Sequence, residues 1–238
     1  MNPTVEAREI NFILGTQETQ PILANPKMLE YSGVVPGEWK LAQTPIKADN
    51  LLSLEFENRT GIVVQPHLIA FQEIIKGKSI DTMQIPDVTS KYVMAMPNLG
   101  YQQMFTKIIG HVPYIGKPLA PVRYINQTLL TSGEWMEFGK AEVESAVIFR
   151  YRLETSTLHL TVNQGTYRTG DEEIIPIVAF FAEFHHDISA ETTAEIQQKI
   201  LQAIESWQIN FKIYTDLINQ KFLTPDKNQK KTHGFSFN

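Results

Sequence analysis

The sequence predicts an α+β fold: a mostly antiparallel β-sheet with a long C-terminal amphipathic helix packed across it. Three observations carry the prediction. Apolar residues recur at Ile196, Ile200, Ile204, Trp207, Phe211, Tyr214, Ile218 and Phe222, in steps of three and four that place them on one stripe of a helix. Upstream, apolar residues alternate with polar ones, as at Val147, Phe149, Tyr151 and Leu153, which is the period of a half-buried strand. The connections between such segments are short turns, and short turns join antiparallel neighbours.

Taken in order, Ile10, Phe12 and Leu14 predict a short strand over 8–15. Residues 16–37 hold Pro21, Pro26, Gly33, Pro36 and Gly37 and read as a long surface excursion. Leu52, Leu54 and Phe56 alternate, Asn58-Arg59-Thr60-Gly61 turns, and Ile62 to Ile75 returns as the second arm of a hairpin. Pro66 cannot donate to a ladder and predicts an edge or a bulge in that arm. Asp87 to Met96 predicts a short helix capped by Asp87 or Thr89 and ended by Pro97. Tyr101 to Val112 is read as a strand. Pro113, Gly116, Pro118 and Pro121 make 113–121 the strongest break, so any two halves divide there.

Val122 to Leu130 is read as a strand that opens the second half. The arm 147–153 turns near Thr155-Ser156 and returns through Leu158, Leu160 and Val162. After Thr169-Gly170-Asp171 comes a strand over Ile174 to Ile188. Its stretch Ile177 to Ala182 is apolar on both faces, which predicts a central strand covered on each side. Thr192 and Glu195 then form a capping-box pair, and Thr224-Pro225 stops the helix. One unbroken helix from Thr192 to Leu223 would be about 48 Å long. The expected organisation is a single domain over 1–225, with 226–238 as a polar, flexible tail. A hairpin and a helix recur in each half, but no residue-level repeat is visible.

Bulk composition bounds the function classes. The 238 residues are 42% hydrophobic and 20% charged, ordinary for a folded domain. There is no cysteine, which excludes disulfides, thiolate catalysis and cysteine-ligated metals. The formal net charge of −5 argues against a broad nucleic-acid surface. No basic n-region with an apolar run opens the chain and no stretch is long enough to span a membrane, so a cytoplasmic protein without membrane insertion is expected.

Glu183-Phe184-His185-His186-Asp187 is the histidine-rich spot. On a strand, Glu183 and His185 share one face, and His159 on the neighbouring strand can join them, so His159, Glu183 and His185 are the candidate metal or acid–base group. No H-x-x-x-H or H-E-x-x-H spacing supports a metal, and the plainer reading is a solvated strand end. Arg150 and Arg152 share a face and, with Arg168, could clamp an anion; cross-strand pairing with Glu154 or Glu172 is the plainer alternative. Glycine-rich phosphate loops and a G-x-S-x-G elbow are absent from the sequence.

The order of an early strand segment, the stretch Val122-Arg123-Tyr124-Ile125-Asn126 and a closing helix with Tyr214-Thr215 near its end resembles a group of sporadically distributed, uncharacterised bacterial α+β proteins. The resemblance implies the fold class and carries no activity.

The functional expectation is a non-enzymatic binding or assembly protein that acts through a surface or an edge strand, alone or as a homo-oligomer, with no cofactor. A second reading is a helix-grip-like carrier, whose apolar cavity would be lined by Phe149, Tyr151, Phe180 and Trp207. A third is an enzyme using His159, Glu183 and His185.

Overall fold

The computed structural model describes residues 3–17, 25–170 and 172–224. Its strands are β1 (Glu6–Thr16), β2 (Ile46–Ala48), β3 (Leu51–Glu55), β4 (Thr60–Gln65), β5 (Leu68–Ile74), β6 (Tyr101–Pro113), β7 (Ala146–Arg152), β8 (Ser156–Arg168) and β9 (Ile174–His186). They form one antiparallel sheet in the order β2-β3-β4-β5-β1-β6-β9-β8-β7. The helices are α1 (Pro26–Tyr31), α2 (Ile85–Ala95), α3 (Ala120–Tyr124), α4 (Thr193–Glu205) and α5 (Trp207–Leu217). The fold is α+β, as the alternation upstream and the stripe downstream require.

Alternation decides which face the helices cover. Ile10, Phe12 and Leu14 of β1, Ile108 of β6 and Val178, Phe180, Ala182 and Phe184 of β9 are buried on one side. There the Tyr92 ring of α2 meets Phe71 of β5 at 5.1 Å. The Tyr214 hydroxyl of α5 donates to the Phe180 carbonyl at 3.2 Å. Phe222, beyond α5, packs on Phe149 and Phe180 at 5.2 and 6.0 Å, and the Tyr124 hydroxyl donates to its carbonyl at 2.8 Å. The opposite side carries Ile13, Phe105, Ile109 and Phe181, all half-buried. In β9, Ile177 and Ala179 on that opposite side are buried as well as Val178, Phe180 and Ala182, so the stretch Ile177 to Ala182 is buried on both faces apart from half-buried Phe181, as its apolar run predicts. Phe181 and its neighbours shield one another laterally along the open face. No helix among the described residues is long and apolar enough to cross a membrane.

The element order repeats. β1, α1, a meander ending in β5, and α2 are followed by β6, α3, a meander ending in β9, and α4. Each half closes its last strand on its own first strand, and the two first strands, β1 and β6, pair at the centre. The changeover in this order falls between α2 and β6. The Pro/Gly-rich 113–121 segment connects β6 to α3.

Four local expectations are corrected. Val122–Leu130 is not a strand: it is α3 followed by a π-helical turn over Ile125–Leu129, started by Pro121 in the first turn, where proline fits a helix. Ile62–Ile75 is two strands, with Pro66-His67 as a two-residue hairpin loop between Gln65 and Leu68; His67 takes the left-handed φ of 66° that such a turn needs after proline. α2 is not capped by Asp87 or Thr89. Its N-terminal amides of Gln84 and Ile85 donate to the fully buried Glu73 carboxylate, each at 2.8 Å.

The terminal helix, fourthly, is interrupted. α4 begins at the predicted capping box of Thr192 and Glu195 and ends at Ser206, whose hydroxyl donates to the Ala203 carbonyl at 2.8 Å. A serine that bonds its own backbone competes with helix continuation. α5 restarts at Trp207 and ends in a π-helical turn, Ile218–Phe222. Six of the eight stripe residues are buried and Ile196 and Phe211 are half-buried, so the stripe does face the sheet. The predicted 226–238 tail lies outside the described residues, as do 18–24 of the predicted excursion.

Candidate functional site

The open face holds two polar groups, and a β-bulge builds the first. In the β1–β6 ladder Ala7 faces Gly110 but Glu9 faces Ile109, so Arg8 is the extra residue. A bulge re-aims a side chain, and Arg8 turns toward the open face. Its Nη2 lies 3.0 Å from His111 Nε2 and 2.7 Å from Glu6 Oε2. Its guanidinium stands 5.1 Å from the centroid of the Tyr167 ring. Lys76 Nζ stands 5.9 Å from the same ring and 3.4 Å from its hydroxyl. The His111 and Tyr167 rings are 5.2 Å apart.

β1 and β8 are three places apart in the sheet, about 14 Å at the usual strand spacing. Arg8 and Tyr167 bridge that span with their own side chains, lying along the open face. Burial, then the Arg8 and Lys76 charges, push the His111 pKa down, with Glu6 opposing. A neutral His111 can accept from the Arg8 guanidinium. Arg8 and Lys76 share the Tyr167 ring, with the Glu6 carboxylate on Arg8 and Glu9 at the neighbouring position of the same face.

The second group is the histidine-rich row. Lys107 of β6 faces Glu183 of β9, which faces His159 of β8, which faces Arg150 of β7. Lys107 Nζ is 3.0 Å from Glu183 Oε1, and His185 Nε2 is 3.6 Å from Glu183 Oε2, an ion-pair distance too long for a hydrogen bond. The His159 and His185 rings are 4.5 Å apart, and Phe105 stacks on His185 at 5.0 Å. Slight burial, His185 and Arg150 lower the His159 pKa, against Glu183. The structure therefore brings His159, Glu183 and His185 onto one face, with Glu183 engaged by lysine. Among the described residues, no group of three or more His, Cys, Asp or Glu could hold a metal ion.

The four aromatic residues expected to line a cavity lie on the helix-covered side. Phe180 is fully buried and Trp207 is buried. Phe149 stacks 6.3 Å from Tyr151, and Phe222 fills the space over Phe149 and Phe180. A cleft of about 510 Å³ lies instead between Tyr114, Lys117, Leu119, Arg123, Tyr124 and Gln127. Arg150 and Arg152 are exposed on the open face, and Arg168 is exposed at the far end of β8. Among the described residues none of the three forms an ion pair with Glu154 or Glu172.

Arg8, Lys76, His111 and Tyr167 escape a reading of the sequence. The bulge breaks the period-two pattern that would place Arg8 on the open face, and the other three come from separate segments. No protein-family model matches this chain, and no curated protein matches it.

Proposed function

We propose that this chain is a non-catalytic binding or assembly protein that takes an acidic segment of a partner protein across the open face of its sheet. The observation that carries the reading is a set of open-face cations that have no carboxylate partner. The chain is net negative, yet Lys76, Arg150 and Arg152 on or beside the open face have no carboxylate partner among the described residues. Between them lie the half-buried Ile13, Phe105, Ile109 and Phe181. An apolar strip flanked by cations suits an extended segment with carboxylates at its margins. The protein needs no cofactor for this binding and is proposed to act in the cytoplasm.

Site-specific photo-crosslinking tests it. A photoreactive phenylalanine at Phe105 should trap a discrete protein in an extract, and an acidic peptide should compete with it. The same probe at Gln208, exposed on α5, should not. Equal yields from both positions, or none from Phe105, would overturn the reading.

A further inference from the structure

The two edges of the sheet are built differently. One edge is β2, three exposed residues long, preceded by Pro45 and followed by Asp49-Asn50. Short, exposed and flanked by breakers, it is a blunted edge. It also shields β3, which gains a further bridge from Leu41 to Phe56. In the repeat, β7 is the counterpart of β3, and no strand among the described residues lies outside it. β7 runs seven residues and pairs with β8 without a register shift, from Ala146 against Asn163 to Arg152 against Thr157. It contains no proline, glycine or lysine. Ile148 at its centre is 70% exposed, and Phe138 in the segment leading to it is 88% exposed. Apart from the charges of Arg150 and Arg152 nothing in the strand blunts this edge, and such an edge is a template for another strand.

Charge along the strand identifies that partner. Glu144 lies two residues before β7, and Arg150 and Arg152 lie in its second half. Antiparallel pairing of β7 with its own copy, centred on Ile148, sets Ile148 against Ile148 and Val147 against Phe149. It also sets Glu144 against Arg152, and symmetry makes that ion pair twice. Side chains at 144, 146, 148, 150 and 152 share one face of an extended chain, so the two ion pairs flank the Ile148 contact. Centring on Phe149 would instead oppose Glu144 to Glu154, and centring on Val147 would oppose Glu144 to Arg150 but leave the exposed Ile148 against Ala146 and set Glu142, already paired with Arg123, against Arg152. We infer that β7 pairs with β7 of a second copy of this chain, antiparallel about Ile148, and joins two sheets into one. This inference rests on the sheet edge and shares Arg152 with the open-face reading, which keeps Lys76 and Arg150; loss of the dimer and loss of crosslinking from Phe105 are separate outcomes.

Sedimentation equilibrium of the full chain across the micromolar range tests it. The expected mass is twice the 27.1 kDa of the monomer. Ile148→Lys puts two like charges at the symmetry axis and should weaken the dimer about tenfold or more. Arg152→Glu alone and Glu144→Arg alone should each weaken it, and the double variant should restore it. The two residues are eight apart, about 26 Å along a strand, so recovery cannot come from a contact within one chain. Circular dichroism shows whether each variant remains folded. A monomer throughout the range, a dimer indifferent to Ile148→Lys, or a double variant that fails to recover would each overturn the proposed pairing.

Discussion

The hydroxyl of Tyr214 sits directly over Gly110, in the space a β-carbon there would occupy. From that position it donates to the Phe180 carbonyl at 3.2 Å. The same absent β-carbon would lie 2.7 Å from the Glu6 carbonyl oxygen and 3.1 Å from the Ala7 Cα. Gly110 therefore lets a helix side chain and the start of β1 close on β6 at one point.

Gly110→Ala should destabilise the fold by roughly 3 kcal/mol, because two of its three clashes are with backbone that cannot rotate away. Tyr214→Phe should cost only about 1 kcal/mol, the net value of one hydrogen bond. Urea unfolding of both variants checks the order. A Gly110→Ala protein as stable as the parent would show that the strands are more loosely packed than described.

Glu73 joins the first meander to α2. Its carboxylate is fully buried, accepts from two helix amides and lies 2.6 Å from Lys78 Nζ. Glu73→Gln keeps an acceptor but removes the charge partner of Lys78, and should cost about 2–4 kcal/mol; Lys78→Met should cost about 3–5 kcal/mol by stranding a buried carboxylate. Chemical denaturation at neutral pH measures both, and losses below about 1 kcal/mol would contradict the buried pairing.

His186 makes stability pH-dependent. Burial, then His185, lowers its pKa from 6.5 to about 4, and its Nε2 lies near Thr106 Oγ1 and Asn210 Nδ2 at 3.4 and 3.5 Å. The unfolded chain binds the proton more readily, so this contribution is complete above pH 6.5 and is lost as pH falls toward 4. The shift corresponds to about 3 kcal/mol. Urea midpoints measured from pH 7 down to pH 4 should fall in the parent and fall less in His186→Gln. Identical slopes would rule His186 out as the source.

The Lys107–Glu183–His185 row should matter little to folding. Lys107→Ala and His185→Ala should each change stability by less than about 1 kcal/mol, since partly exposed ion pairs contribute that little. Thermal melts decide this, and a large loss would mean that the row is structural and not free to meet a partner.

The fold was readable where one physical pattern acted alone. The stripe from Ile196 to Phe222 and the alternation at Ile10, Phe12 and Leu14 each report a single buried face, and both were found buried on the same side of the sheet. Val122–Leu130 is not legible because a short apolar run fits either period, and Pro121 suits a helix start as well as a break. The capping of α2 was hidden because its acceptor, Glu73, lies on another element. Of the candidate site, the neighbourhood of His159, Glu183 and His185 followed from strand parity. The Arg8 corner did not, because a bulge shifts parity by one residue and only the folded register reveals it.

The helices that straddle the central strand pair have a further consequence for how the protein is made. β1, β6 and β9 all leave the ribosome before α4 and α5 exist. Until α4, α5 and Phe222 emerge, α2 covers only the first half of this face, through Tyr92 on Phe71, and Phe180 lacks Tyr214 and Phe222 above it. The nascent chain is then a sheet with one side open and the other only partly covered, vulnerable to sticking to its neighbours. Slow translation before residue 193, or loss of a holding chaperone, should lower the yield of native protein more than any defect in the strands themselves.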